Sequence, residues 1–85
     1  MPTIKLFANL RSIAGTKEQS IMGTSLREVL NELEKQVPAL DGVILENGQI
    51  RPHFVITING HNEDDMDVTV TEQDLIAIFP PIAGG

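Results

Sequence analysis

Ser25-Leu26-Arg27-Glu28-Val29-Leu30-Asn31-Glu32-Leu33-Glu34-Lys35-Gln36-Val37-Pro38 is the stretch around which the rest of the chain is organised. Ser25 offers the hydroxyl that accepts a backbone N–H at a helix start, and Glu28, three residues on, completes a capping box. Leu26, Val29, Leu30, Leu33 and Val37 recur at the spacing of one helical stripe. Pro38 ends the helix, since its ring clashes with the preceding turn and it has no N–H to donate. A helix with one apolar stripe must cover an apolar surface, and the flanking sequence supplies strands for that purpose.

Thr3 to Ala8 (T-I-K-L-F-A) alternates, placing Ile4, Leu6 and Ala8 on one face and Lys5 and Phe7 on the other. Asn9 to Gly15 loses that period and ends on glycine, as a short helical turn closed by a left-handed residue does. A second strand is expected over Glu18 to Met22. Ala39 to Pro52 is less regular, with a tight turn at Asn47-Gly48 between Val43-Ile44-Leu45 and Ile50. His53 to Asn59 alternates again, with Phe54, Ile56 and Ile58 on one side, and Asn59-Gly60 is a second turn. A charge run at Glu63 to Asp67 precedes a possible short strand at Val68 to Val70. Leu75 to Phe79 is the last strand. The order predicts an α+β domain: a mixed sheet of four or five strands with one main helix packed on one face, which is a β-grasp layout. Residues 1–79 form the single domain, and residues 80–85 an extended tail.

Packing the helix stripe on Ile4, Leu6, Ile56, Ile58, Ile76 and Ile78 has a consequence for the other sheet face. Period two turns Leu75, Ala77 and Phe79 outward, together with Phe7 on the first strand. An apolar surface of that kind marks a binding face. With the strand phase shifted by one, the same phenylalanines become core fillers.

Composition removes several classes of chemistry. The chain has no cysteine, hence no disulfide, no thiolate ligand and no cysteine nucleophile. Six Lys and Arg against twelve Asp and Glu give a net charge of −6, the opposite of a nucleic-acid binder. The surplus sits in the second half, where Arg51 faces seven acids. No phosphate loop, zinc-protease helix, C-x-x-C or nucleophile elbow is found. His53 and His61 have no third ligand beside them and read as solvent-facing. Glu63-Asp64-Asp65-Asp67 does not follow the calcium-loop pattern and reads as a solvated loop that protects a sheet edge. No metal site is expected. The opening residues do not resemble a secretory signal. The longest apolar run, Leu75 to Ala83, is interrupted by two prolines and is too short to span a membrane, so the expected compartment is the cytosol.

The tail carries the remaining signal. Prolines hold extended backbone, so Phe79-Pro80-Pro81-Ile82 should leave the last strand as a stiff arm, followed by Ala83, Gly84 and Gly85. A Gly-Gly end without side chains can enter a narrow channel and leaves its carbonyl open to attack. It suits a substrate whose reactive group is its own terminus. The alternative is a frayed tail ending in two glycines by chance.

Here the residues resemble a known family, the MoaD/ThiS-like sulfur carriers, ubiquitin-like β-grasp proteins that include the small subunit of molybdopterin synthase. Lys5-Leu6-Phe7-Ala8-Asn9-Leu10-Arg11 with Ala14-Gly15 looks like the family's first strand and short helix. Ser25-Leu26 with Leu30 and Leu33 looks like its main helix, and Ile58-Asn59-Gly60 like its strand-to-turn element. The ending Asp74-Leu75-Ile76-Ala77-Ile78-Phe79-Pro80-Pro81-Ile82-Ala83-Gly84-Gly85 is the most specific part.

The resemblance implies a noncatalytic carrier that binds no cofactor. A ubiquitin-activating-type enzyme would use ATP to adenylate the Gly85 carboxylate, and sulfur would then replace the nucleotide to give a thiocarboxylate. Pro80, Pro81, Ile82, Ala83 and Gly84 would insert into the large subunit of molybdopterin synthase or another sulfur acceptor. Phe7, Leu75, Ala77 and Phe79 would form the docking face. Two departures bear on the pathway. The stretch from Asp41 to His53 is longer than in the shortest molybdopterin carriers and looks more like variants used in cysteine synthesis, other thiolations or protein tagging. Gln73 stands where the family often has glycine. A ubiquitin-like modifier joined to lysines through Gly85, and a passive interaction module, are the competing readings.

Overall fold

A computed structural model describes residues 1–81. Its elements are β1 (Thr3–Leu6), α1 (Asn9–Ala14), β2 (Glu18–Ser20), α2 (Leu26–Gln36), β3 (Leu45–Glu46), β4 (Gln49–Ile50), β5 (Val55–Ile58), β6 (His61–Asn62) and β7 (Leu75–Phe79), with a single 3₁₀ turn at Pro38–Leu40.

The capping expected for α2 is present in altered form. The Ser25 hydroxyl accepts the Glu28 N–H at 3.1 Å. The Glu28 carboxylate reaches one residue past the cap and takes the N–H and the hydroxyl of Thr24, both at 2.9 Å. Two further first-turn donors, the N–H groups of Leu26 and Arg27, go to the carbonyls of Val68 and Met66 at 3.1 and 2.8 Å. This corrects the strand expected at Val68 to Val70. That segment makes one isolated bridge, Thr69 with Ser25; its Val68 carbonyl serves the start of α2, where four donors would otherwise lack partners, and its Val70 N–H goes to the Thr24 carbonyl at 3.0 Å.

Five strands form one sheet in the order β2-β1-β7-β5-β6, and β3 and β4 form a separate hairpin. β1 and β7 run parallel and every other pair is antiparallel. β7 is therefore the central strand. β2 stops at Ser20, two residues short of the expected end. β1 stops at Leu6, because Ala8 takes φ 54° and ψ −135° and the Leu10 N–H closes a turn onto the Phe7 carbonyl at 3.2 Å. Ala8, expected on the core face, is instead exposed at the first central position of a II′-type turn, where a Cβ is strained.

The sheet contributes Ile4, Leu6, Ile56, Ile76 and Ile78 to the core, and α2 contributes Leu26, Val29, Leu30 and Leu33. Each such burial is worth about 1.5–3 kcal/mol. Leu10, Ile21, Leu40 and Ile44 complete the same cluster. α2 also buries a carboxylate. Glu34 is 9% exposed; its Oε1 accepts the Gly42 N–H at 3.2 Å and its Oε2 accepts those of Ile44 and Leu45, each at 2.9 Å. The irregular segment after the helix is thus pinned by one side chain. The β3–β4 hairpin turns through Asn47 and Gly48, both at positive φ. Arg27 holds it from α2, donating to the Gly48 carbonyl at 3.0 Å and pairing with Asp67 at 3.1 Å.

Candidate functional site

The outer sheet face, opposite α2, carries the residues expected to dock a partner. Ile76 and Ile78 are fully buried on the inner side, so the phase with Phe7, Leu75, Ala77 and Phe79 outward is the one adopted. Phe7 and Phe79 are not separately exposed, as the sequence reading had them. Their rings stack, centroids 4.5 Å apart and 16° from parallel, and each half-covers the other. Parallel pairing of β1 with β7 brings them together. Thr3 stands beside Leu75 and Lys5 beside Ala77, so Phe7 arrives beside Phe79 two residues further along.

Ala77 lies on this face but is 9% exposed, hemmed in by its register partners Lys5 and Thr57. It is a floor between larger neighbours rather than a contact surface, which corrects its expected role. Leu75 is 37% exposed. Val55, which sequence reasoning did not single out, pairs directly with Phe79 and is 42% exposed. It follows from the alternation of Phe54, Ile56 and Ile58: whatever lies between the inward residues points out. The apolar group is therefore Phe7, Phe79 and Val55 at one end and Leu75 at the other, roughly 13 Å apart for four residues along a strand.

Arg11 of α1 borders the aromatic end. Its Cζ lies 5.1 Å from the Phe7 ring centroid, and its Nε donates to the Leu6 carbonyl at 2.8 Å. Gly15, at φ 76°, closes α1 through a bond from its N–H to the Arg11 carbonyl. Beyond the aromatic pair the chain leaves β7 through Pro80, half-buried, and Pro81, exposed. The residues expected to enter a channel and carry the chemistry, Ile82, Ala83, Gly84 and Gly85, lie outside the described residues.

The start of β7 is set by a polar clamp. Asn59 and Gly60 take φ 52° and 84° in the β5–β6 turn, the pair of positive values that a type I′ hairpin needs. The Asn59 side chain accepts the Leu75 N–H at 2.9 Å and donates to Asp74 Oδ1 at 2.9 Å. Asp74 Oδ2 takes the Thr71 N–H at 2.8 Å. These bonds, the Thr71 N–H first and the Asn59 amide second, hold the Asp74 carboxyl below the ordinary carboxylate range. A depressed folded value stabilises above the unfolded pKa and ceases to do so as pH falls through the folded one. Asp74→Asn is thus expected to lower stability at pH 7, with the gap from wild type closing as pH falls below ~4. Urea unfolding at both pH values measures it, and a gap that stays constant refutes it.

His53 and His61 are both exposed. Among the described residues no group of three His, Cys, Asp or Glu is placed to hold a metal ion, and no helix is long and apolar enough to cross a membrane. The acidic loop flanks the edge strand β6, exposed at Asp64, Asp65 and Asp67, with Met66 buried beneath it.

Comparison with known proteins agrees with this arrangement over its whole length. Small archaeal modifier protein 3 of Haloferax volcanii is 30% identical, with 96% of each chain covered. The solution structure of small archaeal modifier protein 1 from Methanosarcina acetivorans superposes with a TM-score of 0.87 at 36% identity, covering 99% of this chain and 95% of that one. A Pyrococcus furiosus chain assigned as molybdopterin converting factor, subunit 1, superposes with a TM-score of 0.77 at 25% identity, covering 95% and 97%. These likenesses establish the ubiquitin-like β-grasp fold. The sequence profile of the ThiS family matches residues 4–85, and the chain belongs to that family.

Proposed function

We propose that this protein is a sulfur carrier whose Gly85 carboxyl is the reacting group. A ubiquitin-activating-type enzyme adenylates that carboxylate with ATP, releasing pyrophosphate, and a sulfur donor displaces AMP to leave a thiocarboxylate. The chain itself supplies no catalytic side chain and binds no cofactor; it is a protein co-substrate acting in the cytosol. The observation that carries the reading is the placement of β7. The central strand of the sheet ends beside the Phe7–Phe79 stack and passes directly into Pro80-Pro81 and the Gly-Gly end. A partner that grips the aromatic end of the outer face is thereby aligned with the tail, which Pro80 to Gly84 thread into its active site. The large subunit of molybdopterin synthase is the proposed acceptor, supported by likeness to the Pyrococcus furiosus chain. Likeness to two small archaeal modifier proteins favours a second outcome for the same activated carboxyl, an amide bond to a lysine of another protein.

Intact mass tests the reading. Incubation with ATP, a sulfur donor and the host's adenylating enzyme is expected to replace one oxygen by one sulfur, and fragmentation should map the change to Gly85. An unchanged mass, where a known carrier reacts, refutes it. A ladder of conjugates in host lysate, with Gly-Gly remnants on lysines, assigns the modifier outcome.

A further inference from the structure

We propose that Arg11 is a carboxylate receptor on the docking face: its guanidinium receives an Asp or Glu side chain of the partner that reads the Phe7–Phe79 end of the sheet. This rests on the outer face being the docking surface. Arg11 is oriented by two contacts. Nε is committed to the Leu6 carbonyl at 2.8 Å, and Cζ lies over the Phe7 ring, 5.1 Å from its centroid. Among the described residues no acceptor meets either terminal nitrogen of Arg11. A guanidinium held at Nε with its Cζ over an aromatic ring leaves its Nη groups to a partner, and a carboxylate is the planar acceptor that matches them with two parallel bonds. Little side-chain freedom remains to be lost on binding.

Charge placement agrees. The chain carries −6 overall, yet the outer face presents Arg11 and Lys5 around its apolar residues. Of the twelve acids, Glu28 and Glu32 are on α2 and four lie in the 63–67 loop, while Glu18 stands opposite Lys5 at the β2 edge and Asp74 precedes Leu75, bound to Asn59 and Thr71. A partner with a carboxylate beside an apolar patch fits this face and is repelled by the rest of the molecule. The same net charge opposes a second copy as occupant.

The test measures binding of the full-length chain to the host's adenylating enzyme across a salt series, in the nucleotide-free and the ATP-loaded enzyme. Arg11→Gln is expected to weaken binding about tenfold or more and to flatten its salt dependence. Arg11→Lys, which keeps the charge and loses the fork, should recover less than half of that loss on a logarithmic scale. Lys35→Gln, which removes an exposed charge from α2, is the matched control. Unchanged melting temperature and amide spectra outside residues 6–11 show that the variants fold. Arg11→Gln binding as tightly as wild type, or losing no more than Lys35→Gln, overturns the proposal and leaves the sulfur-carrier reading intact. Loss confined to the ATP-loaded enzyme assigns the fork to a phosphate and overturns it too. Self-association abolished by Arg11→Gln overturns it in favour of a second copy. Failure of the wild-type chain to bind or be adenylated overturns both readings together.

Discussion

Deleting Gly85 is expected to abolish thiocarboxylate formation completely while leaving the melting temperature where it was. The two halves of that expectation have separate causes. On the proposed function the reacting group is the Gly85 carboxyl, and shortening the chain by one residue withdraws it from the ATP it has to reach in the adenylating enzyme. The new Gly84 carboxylate then sits one residue, roughly 3.5 Å, short of the α-phosphorus of ATP that it must attack, and misplacement of about 1 Å is enough to cost about a hundredfold in rate. Stability depends on other residues, since the buried cluster runs from Ile4 to Ile78. Intact mass after incubation with ATP, sulfur donor and enzyme reads the first half, and a thermal melt the second. Sulfur loading that survives the deletion would contradict the carrier reading and the modifier reading alike. One residue added after Gly85 should be as damaging as one removed, whereas a passive interaction module would tolerate both.

Glu34→Ala is expected to destabilise the protein about as much as truncating a buried leucine of α2 does. The substitution leaves the Ile44 and Leu45 N–H groups buried without an acceptor, and frees Gly42 as well. An orphaned buried donor costs about 1–3 kcal/mol, so a loss of about 3 kcal/mol or more is expected from a domain whose total is of order 5–15 kcal/mol. Glu34→Gln should fall between. Its single carbonyl oxygen can keep the Ile44 and Leu45 pair, but its NH₂ then faces the Gly42 N–H, donor against donor. Urea unfolding of the three proteins ranks them, and a loss below about 1 kcal/mol for Glu34→Ala would show that water or a shifted loop satisfies the released groups.

Legibility followed how local each cause was. β7 has the same bounds in sequence and structure, Leu75–Phe79, because alternation ends where Pro80 removes a donor. The α2 stripe and its Ser25 cap were readable for a similar reason, being set within one or two turns of helix. The outward phase of Phe7 and Phe79 followed from the inward isoleucines, but their stacking did not, since it depends on β1 and β7 being parallel neighbours. Glu34 was missed because a glutamate on a helix reads as solvent-facing. Its one sequence signal is its place beside Leu33 on the flank of the apolar stripe, just before a segment with no regular pairing of its own. Ala8 gave no warning, because its φ of 54° is imposed by the turn from β1 into α1, closed by the Leu10 N–H on the Phe7 carbonyl. Val68 to Val70 has strand composition but makes only the single bridge to Ser25, with its Val68 carbonyl committed to the start of α2. On the candidate site, residue types and face were readable from the chain alone; mutual shielding, as at Ala77, was not.

The parallel pairing of β1 with β7 also bears on how the protein is made. Thr3 cannot meet Leu75 until nearly the whole chain exists, so the sheet closes late, through contacts of long sequence separation whose loop entropy must be overcome first. Before that moment a nascent chain has β1–β2 at one side and β5–β6 at the other, with no strand to join them and nothing for α2 to cover. A chain cut or terminated anywhere before Leu75 loses the middle of its sheet and its reactive end together. If the proposed function holds, an activating enzyme would therefore meet Gly84-Gly85 only on chains that already contain β7 and can complete the sheet.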